Sequence, residues 1–313
     1  MNTSNGAIKT DNWNLELLED DSGYQVPLEV FRPEDHLGNY VESSLKSNIE
    51  CDLEGEPATK QHLMLLPAMG MAARYYRPFA QQLARQNITV YLFEQRGHGH
   101  SSMRPGRKCN YGFKEYIADI ELASAYVSEK HDNQPINLMG HSLGGHLASC
   151  FTALNPNQVD RIILSGCASP YHKAFDRKTG FLLQGLYHSI PLMNKVLGYY
   201  HGEFTGFAGK EGQQLMLDWR NLVLTNIYKA KGVEKDFEHH LQGFSGDILS
   251  LQFSEDIYAP PQPSQLVLDK YPAANIETIT LTSDDLGFSA DHFRWARKPE
   301  VSASTVHNWL VKS

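Results

Sequence analysis

The chain has 313 residues, of which 41% are hydrophobic and 20% are charged, so it can bury the core of one large α/β domain or of two small ones. Its formal net charge at pH 7 is −8, which argues against nucleic acid as a partner because binding a polyanion requires a basic face. None of its four cysteines forms a Cys-x-x-Cys pair, so the sequence predicts no disulfide framework.

The first residues contain neither a basic stretch nor an apolar run of the kind found in signal peptides. No stretch approaches the length of about 18 apolar residues that a membrane-spanning helix requires. The sequence therefore predicts a cytoplasmic protein without stable membrane insertion. It does not specify an oligomeric state.

Residues 1–12 are predicted to form a loose leader. Alternating apolar and polar residues predict a hairpin of two strands at residues 13–18 and 24–31. The polar, aperiodic residues 32–61 predict a long surface connection. Short apolar runs then alternate with segments of helical spacing, which predicts a parallel sheet with helices on both faces. The strands of this part are predicted at residues 62–66, 88–93, 136–139 and 162–165, and its helices at residues 75–85, 113–127 and 145–154.

The alternation stops after residue 170 and resumes at residue 248. Connections between strands are rarely this long without a role of their own. Residues 171–246 are therefore predicted to form a helical cap, inserted into a core that consists of residues 1–170 and 247–313. The cap is predicted to contain no strand and to contain helices at residues 181–190, 192–200, 213–224 and 237–244. The core is predicted to end with strands at residues 248–253 and 276–281 and helices at residues 263–271 and 301–311.

Residues 140–144 form a Gly-x-Ser-x-Gly motif between a predicted strand and a predicted helix. Small residues at the two glycine positions permit a sharp turn, which lifts the hydroxyl of Ser142 clear of the sheet. The N-terminus of the following helix favours negative charge at this point. The motif therefore indicates a nucleophilic serine, and a serine in an ordinary glycine turn is the alternative.

A serine hydroxyl becomes a strong nucleophile when an imidazole takes its proton and a carboxylate orients the imidazole. Both partners are expected on later loops at the same end of the sheet. His292 lies between the last predicted strand and the last predicted helix, and it is the preferred base among the 14 histidines. Asp256 follows the first strand after the predicted cap and is the preferred acid. Glu255 is the neighbour most able to replace it, and a solvated acidic turn is the alternative.

Acyl transfer also requires hydrogen-bond donors aimed at the oxyanion. The backbone N–H of Leu143, directly after the serine, is one predicted donor. The backbone N–H of Met69, in the loop after residues 62–66, is the other. The sequence thus predicts an oxyanion hole formed by Met69 and Leu143.

Other chemistries are disfavoured by spacing. His98 and His100, with Cys109 nearby, lack further ligands at metal-binding spacing. No glycine loop matches Gly-x-Gly-x-x-Gly after a strand, which is the pattern of a dinucleotide site. The sequence therefore predicts neither a metal nor another cofactor. The aromatic residues of the predicted cap could form its core or could line an acyl pocket, and both assignments stay open at this point.

Several motifs resemble the α/β-hydrolase superfamily, over about residues 62–165 and 248–313. Residues 140–145 carry the serine motif, and residues 96–101 resemble the Arg-Gly-x-Gly-x-Ser turn of that superfamily. Residues 67–71 and 75–79 are similar to a bacterial branch near the serine aminopeptidase and monoacylglycerol lipase group. Residues 292–295 resemble the closing motif of this branch.

The resemblance implies an α/β-hydrolase fold, a mostly parallel sheet flanked by helices, with Ser142 as nucleophile, Asp256 as acid and His292 as base. Two departures stand out. Glu94 occupies a position where many relatives have aspartate, and Pro67 and Ala68 stand where most have His-Gly. Neither change removes a catalytic group, but the second leaves the shape of the oxyanion loop open.

The expected activity is the cofactor-free hydrolysis of a small-molecule carboxylic ester with an apolar part, through an acyl-enzyme. A thioesterase, an acyltransferase or an aminopeptidase would use the same residues, and fold alone does not choose between them. A haloalkane dehalogenase or epoxide hydrolase would require a carboxylate in place of Ser142. A non-catalytic protein that binds a small apolar ligand is the alternative from another functional class.

Overall fold

The computed structural model of the protein describes residues 8–9, 12–36 and 61–312. Most of the predicted leader and most of the predicted connection at residues 32–61 lie outside the described residues.

A single large sheet forms the centre of the described chain. Its nine strands lie in the order β1-β2-β3-β5-β4-β6-β7-β10-β11. The strands are β1 (Ile8–Lys9), β2 (Asn14–Glu19), β3 (Gln25–Phe31), β4 (His62–Leu66), β5 (Thr89–Phe93), β6 (Ile136–His141), β7 (Val159–Ser165), β10 (Asp247–Phe253) and β11 (Asn275–Leu281). All neighbours from β5 to β11 pair in parallel, whereas β1, β2 and β3 add an antiparallel edge. The predicted parallel sheet and the predicted N-terminal hairpin are confirmed.

The central strands are apolar because both faces of the sheet are covered. Every residue of β4, β5 and β6 is buried, as expected for parallel strands between two layers of helices. The helices are α1 (Arg77–Arg85), α2 (Phe113–Lys130), α3 (Leu143–Leu154), α4 (Arg177–Leu197), α5 (Gln213–Thr225), α6 (Phe237–Leu241), α7 (Pro261–Leu268), α8 (Ser283–Leu286) and α9 (Glu300–Leu310). One apolar core contains α2 and α3, and a second one, on the other face, contains α1 and α9.

The chain leaves the sheet after β7 and returns at β10, and this stretch differs from the prediction in two ways. The two helices predicted at residues 181–190 and 192–200 are one helix, α4, that continues through Pro191. Proline has no N–H to donate to the carbonyl four residues earlier, and its ring clashes with that carbonyl. A proline inside a helix therefore usually kinks or breaks the helix. Here the side chain of Arg220 donates to the freed carbonyl of Tyr187 at 3.0 Å, so the helix continues.

The stretch also contains two short strands that were not predicted. β8 (Tyr200–His201) and β9 (Lys210–Glu211) pair in antiparallel fashion as a separate ribbon. Two residues are too few to show an alternating pattern, which is why the sequence signal was missing. The division into a core of residues 1–170 and 247–313 and a cap of residues 171–246 stays a prediction. Among the described residues, no helix combines the length and apolarity needed to cross a membrane.

Two glycines of α4 have different surroundings and form a matched pair for mutation. A Cβ atom at Gly180 would lie 2.6 Å from the backbone oxygen of His172, whereas a Cβ atom at Gly185 would meet nothing within 4 Å. We expect Gly180→Ala to lower the free energy of unfolding because backbone atoms must move. We expect Gly185→Ala to raise it by about 0.5–1 kcal/mol, since alanine loses less conformational entropy in a helix. Urea denaturation measures both, and equal effects would contradict this packing.

Candidate active site

Ser142 lies on the turn between β6 and α3. Its backbone has φ 53° and ψ −114°, a conformation that residues other than glycine rarely adopt. The N–H of Ser142 donates to the carbonyl of Ser165 at 3.1 Å, and its own carbonyl accepts from the N–H of Gly145 at 2.9 Å. These bonds hold Ser142 at the edge of the sheet, on the sharp turn that the motif predicts.

Three glycines give this turn the space it needs. A Cβ atom at Gly140 would lie 2.3 Å from the backbone of Gly144, and one at Gly144 would lie 2.1 Å from the carbonyl oxygen of Leu66. A Cβ atom at Gly145 would lie 2.5 Å from Sγ of Cys167. The first two glycines are those of the motif, and Gly145 is a further packing requirement that the motif does not contain.

Asp256 and His292 form a close pair on the loops after β10 and β11. Oδ2 of Asp256 accepts a hydrogen bond from Nδ1 of His292 at 2.6 Å, and the two side chains are 0% and 6% exposed. Oδ1 of Asp256 accepts from the backbone N–H groups of Tyr258 and Ala259, each at 2.9 Å. Because the carboxylate accepts from Nδ1, the Nε2 atom of neutral His292 carries a free lone pair and can take a proton.

The carboxylates next to Asp256 and His292 in the chain point elsewhere. Glu255 accepts hydrogen bonds from the hydroxyl groups of Ser283 and Ser289 at 2.6 Å, and these bonds lower the pKa of its exposed carboxyl group. Asp291 accepts from the backbone N–H of Phe293 at 2.9 Å. The structure thus brings Asp256 to His292, while Glu255 is engaged on the surface.

The buried side chain of Trp295 holds the backbone of His292 in place. Nε1 of Trp295 donates to the backbone carbonyl of His292 at 3.1 Å. Trp295 is fully buried, and its ring stacks on Phe253 with the centroids 5.7 Å apart. Phe253 is the last residue of β10, so the loop of His292 is attached to the same strand that precedes Asp256.

A second histidine lies against His292 and was not predicted. The ring of His141 is 4.6 Å from the ring of His292. Burial and the neighbouring His292 lower the pKa of His141 well below its ordinary value, which favours its neutral form. The hydroxyl of Tyr76 accepts from the N–H of Ala68 at 2.9 Å and lies 2.7 Å from Nδ1 of His141, to which it can donate. These side chains come from separate elements, and no sequence motif connects them.

The loop after β4 is shaped by two residues that depart from the superfamily pattern. Ala68 accepts a hydrogen bond from the N–H of Met71 at 3.1 Å, which closes a tight turn around Met69. The carboxylate of Glu94 accepts from the N–H groups of Ala73 at 2.9 Å and His100 at 3.2 Å. The carboxylate of Glu94 therefore links the segment after β4 to the glycine-rich turn after β5.

A cavity of about 690 Å³ opens at this edge of the sheet, and both Ser142 and His292 line it. Met69 and Leu143 line it as well. In the described part of the chain, no acceptor takes a hydrogen bond from the backbone N–H of either residue, so both donors are available to a ligand. The remainder of the wall is mainly apolar and includes Phe175, Leu186, Phe207, Trp219, Ile257 and Tyr258.

The aromatic residues between β7 and β10 divide between the two roles left open by the sequence. Phe175, Phe181 and Phe207 line the cavity. Tyr187 and Tyr200 are buried in the apolar core instead.

The histidines of the glycine-rich turn each contact a carboxylate. His98 lies 3.1 Å from Glu211 of β9, and His100 lies 3.2 Å from Glu29 of β3. Within the described ranges, no group of three or more potential ligand side chains is arranged to hold a metal ion.

The contact between His98 and Glu211 links β9 to the turn after β5 and should depend on pH. Burial opposes the charged form of His98, but the hydrogen bond and the charge of Glu211 outweigh burial and raise its pKa. Such a histidine contributes stability in full below its unfolded-state pKa of about 6.5, and the contribution is lost as the pH rises through the folded-state pKa.

We therefore expect Glu211→Gln to lower the free energy of unfolding by about 1–2 kcal/mol near pH 6 and by less near pH 9. Urea denaturation at both pH values measures the difference. Glu203→Gln is the control, because Glu203 is 72% exposed and lies 3.8 Å from His201. Its effect should be small at either pH. An equal loss at both pH values in Glu211→Gln would contradict the assignment.

Solved structures share this architecture. Est1E from Butyrivibrio proteoclasticus, solved with ferulic acid bound, has a TM-score of 0.62 and 12% sequence identity, and the match covers 94% of this chain and 98% of that one. The monoacylglycerol lipase of Paleococcus ferrophilus has a TM-score of 0.55 and 14% identity, with 82% and 96% covered. At these identities the likeness shows the fold alone, and it confirms the predicted α/β-hydrolase fold.

The sequence profile of the serine aminopeptidase S33 family matches residues 57–214, just over half of the chain. The chain therefore belongs to the serine aminopeptidase S33 family, within the α/β-hydrolase superfamily of serine hydrolases. This confirms the resemblance that the motifs indicated.

Curated relatives match over shorter stretches. The monoacylglycerol lipase of Mycolicibacterium smegmatis is 28% identical over 119 residues, which cover 37% of this chain and 41% of the relative. Protein phosphatase methylesterase 1 of Candida albicans is 21% identical over 185 residues, with 58% and 50% covered. The chain spans about half the length, or less, of these two relatives.

Proposed function

We propose that the protein is a serine hydrolase that cleaves a carboxylic ester with an apolar acyl part, with Ser142 as nucleophile, His292 as base and Asp256 as the acid that orients the base. The observation that carries the proposal is the buried pair of Asp256 and His292, which opens onto the same cavity as Ser142. Two relatives bear the names of a lipase and a methylesterase, and these names favour an ester as substrate.

The proposed reaction begins when Oγ of Ser142 attacks the ester carbonyl and Nε2 of His292 takes its proton. The carboxylate of Asp256 stabilises the resulting imidazolium ion. The backbone N–H groups of Met69 and Leu143 hold the oxyanion, and losing one such donor typically costs about 3 kcal/mol in the barrier. His292 then gives its proton to the leaving alcohol, and water releases the acyl group from Ser142.

The composition of the cavity wall favours a neutral substrate over a charged one. Among the described residues that line it there is no aspartate, glutamate, lysine or arginine. An aminopeptidase substrate carries a charged amino group close to the scissile bond, and this wall offers it no carboxylate. The ester is therefore preferred over the peptide, although both would use the same three side chains. The residues of α4 and α5 that line the cavity would form the acyl pocket, with residues 171–246 acting as its cap.

A fluorophosphonate probe tests the proposed roles directly. We expect the protein to be labelled, the labelling to disappear in Ser142→Ala, and its rate to fall about 100-fold or more in Asp256→Asn, because the orienting carboxylate is lost. Glu255→Gln is the matched control, since it removes a neighbouring carboxylate that does not contact His292, and its labelling rate should stay unchanged. A folded protein that is not labelled would instead favour the non-catalytic binder.

The depth of the acyl pocket can be measured with p-nitrophenyl esters of increasing chain length. Burial of each CH₂ group contributes about 0.8 kcal/mol, so kcat/KM should rise about three- to fourfold per CH₂ group until the cavity is filled. Aminoacyl p-nitroanilides should be hydrolysed far more slowly than the esters. A preference for acetate esters, or for the anilides, would contradict an apolar acyl pocket.

A further inference from the structure

A second cavity, of about 550 Å³, lies beside the first one. Gly70 and Met71 of the loop after β4 line it, whereas Met69 of the same loop lines the first cavity. Gly97 and Gly99 of the turn after β5 form another part of its wall. Four arginines surround it: Arg74, Arg77, Arg104 and Arg297. We call it the arginine cavity.

Three of these arginines have no carboxylate partner among the described residues. Arg77 is paired with Glu29 through two hydrogen bonds of 2.7 Å. Among the described residues, the guanidinium group of Arg104 donates to backbone carbonyls alone, including that of Gly99 at 3.1 Å. Arg297 lies over the ring of Tyr75, 5.4 Å from its centroid. Arg74 is exposed and has no ion pair within the part of the chain that the structure describes.

The carboxylates that contact this part of the structure do not balance these charges. Glu29 is already paired with Arg77, and Glu211 is paired with His98. Glu94 accepts two backbone hydrogen bonds, and its single negative charge faces three arginines that have no carboxylate partner among the described residues. A concentration of positive charge therefore remains around a concave site, in a chain whose formal net charge is −8.

We propose that the arginine cavity binds a phosphate group. A carboxylate carries one negative charge, which a single arginine can match. A phosphate ester carries about −1.5 to −2 charges and three acceptor oxygens, which suits several guanidinium groups at once. Gly70, Gly97 and Gly99 in its wall have positive φ, at 76°, 87° and 38°, a conformation that glycine adopts without strain.

The arginine cavity is also coupled to the candidate catalytic site. The hydroxyl of Tyr75 donates to the backbone carbonyl of Phe293 at 3.2 Å. Phe293 follows His292 in the chain and lines the first cavity. A phosphate held here would be separated from the cavity of Ser142 by the loop after β4, which borders both cavities. That the phosphate belongs to the substrate rests on the proposed function, whereas phosphate binding itself does not.

Calorimetric titration of the whole chain with inorganic pyrophosphate tests the site. We expect saturable binding at one site that weakens as the salt concentration rises. The double variant Arg74→Gln and Arg297→Gln should raise the Kd about tenfold or more, because charge-assisted hydrogen bonds are lost. Circular dichroism should show that this variant remains folded, since neither side chain is buried.

Arg85→Gln is the control. Arg85 is an exposed arginine of the neighbouring helix α1 and does not line the arginine cavity, so its variant should bind pyrophosphate as the wild type does. The proposal is overturned if the folded protein does not bind pyrophosphate, if Arg85→Gln weakens binding as much as the double variant, or if sodium chloride at equal ionic strength gives the same heats.

A second comparison identifies the source of the phosphate. The substrates are 1-lauroylglycerol and 1-lauroylglycerol 3-phosphate, each with the wild type and the double variant. A higher kcat/KM for the phosphorylated ester that the double variant loses assigns the phosphate to the substrate. Equal values, with pyrophosphate binding retained, assign it to a separate phosphorylated ligand. No hydrolysis of any ester, with pyrophosphate binding retained, would contradict the proposed function and leave the phosphate site standing.

Discussion

The contact between Gly144 and the carbonyl oxygen of Leu66 leaves no room for a side chain, and much of the site depends on it. It lets α3 approach the end of β4, while Ser142 adopts φ 53° on the turn that precedes α3. β4 and β6 are neighbouring parallel strands, so the loops that follow them open at the same edge of the sheet. For this reason Met69 and Leu143 border one cavity although 73 residues separate them along the chain.

The loop after β4 separates two environments of opposite character. On one side, the cavity of Ser142 and His292 has an apolar wall without a charged carboxylate, ammonium or guanidinium group among the described residues that line it. On the other side, guanidinium groups surround glycine-rich backbone. A ligand that placed an apolar chain in the first cavity and an anionic group in the second would use both. Such a division would give selectivity for amphiphilic substrates, because each cavity disfavours the part that suits the other.

The stretch between β7 and β10 is attached to the sheet through buried polar contacts as well as through apolar packing. Glu211 of β9 contacts His98 at 3.1 Å, and Lys270, which follows α7, donates to Glu238 of α6 at 2.7 Å. Unpaired charges are costly in such buried positions, so these contacts favour one placement of the stretch over others. The wall of the first cavity takes Phe175 and Phe207 from this stretch, and its shape depends on that placement.

The sequence by itself determined the parallel sheet, because runs such as residues 63–66 are apolar throughout and alternate with segments of helical periodicity. It also singled out Ser142, Asp256 and His292, since each follows a recognisable strand. Only the tertiary structure decided which carboxylate faces His292, because Glu255 and Asp256 are adjacent in the chain and folding turns their side chains to different partners. The continuous helix α4 likewise depends on Arg220, which lies 33 residues from its partner Tyr187. The arginine cavity joins Arg74, Arg104 and Arg297, and side chains so distant along the chain leave no local pattern, because only folding brings them together.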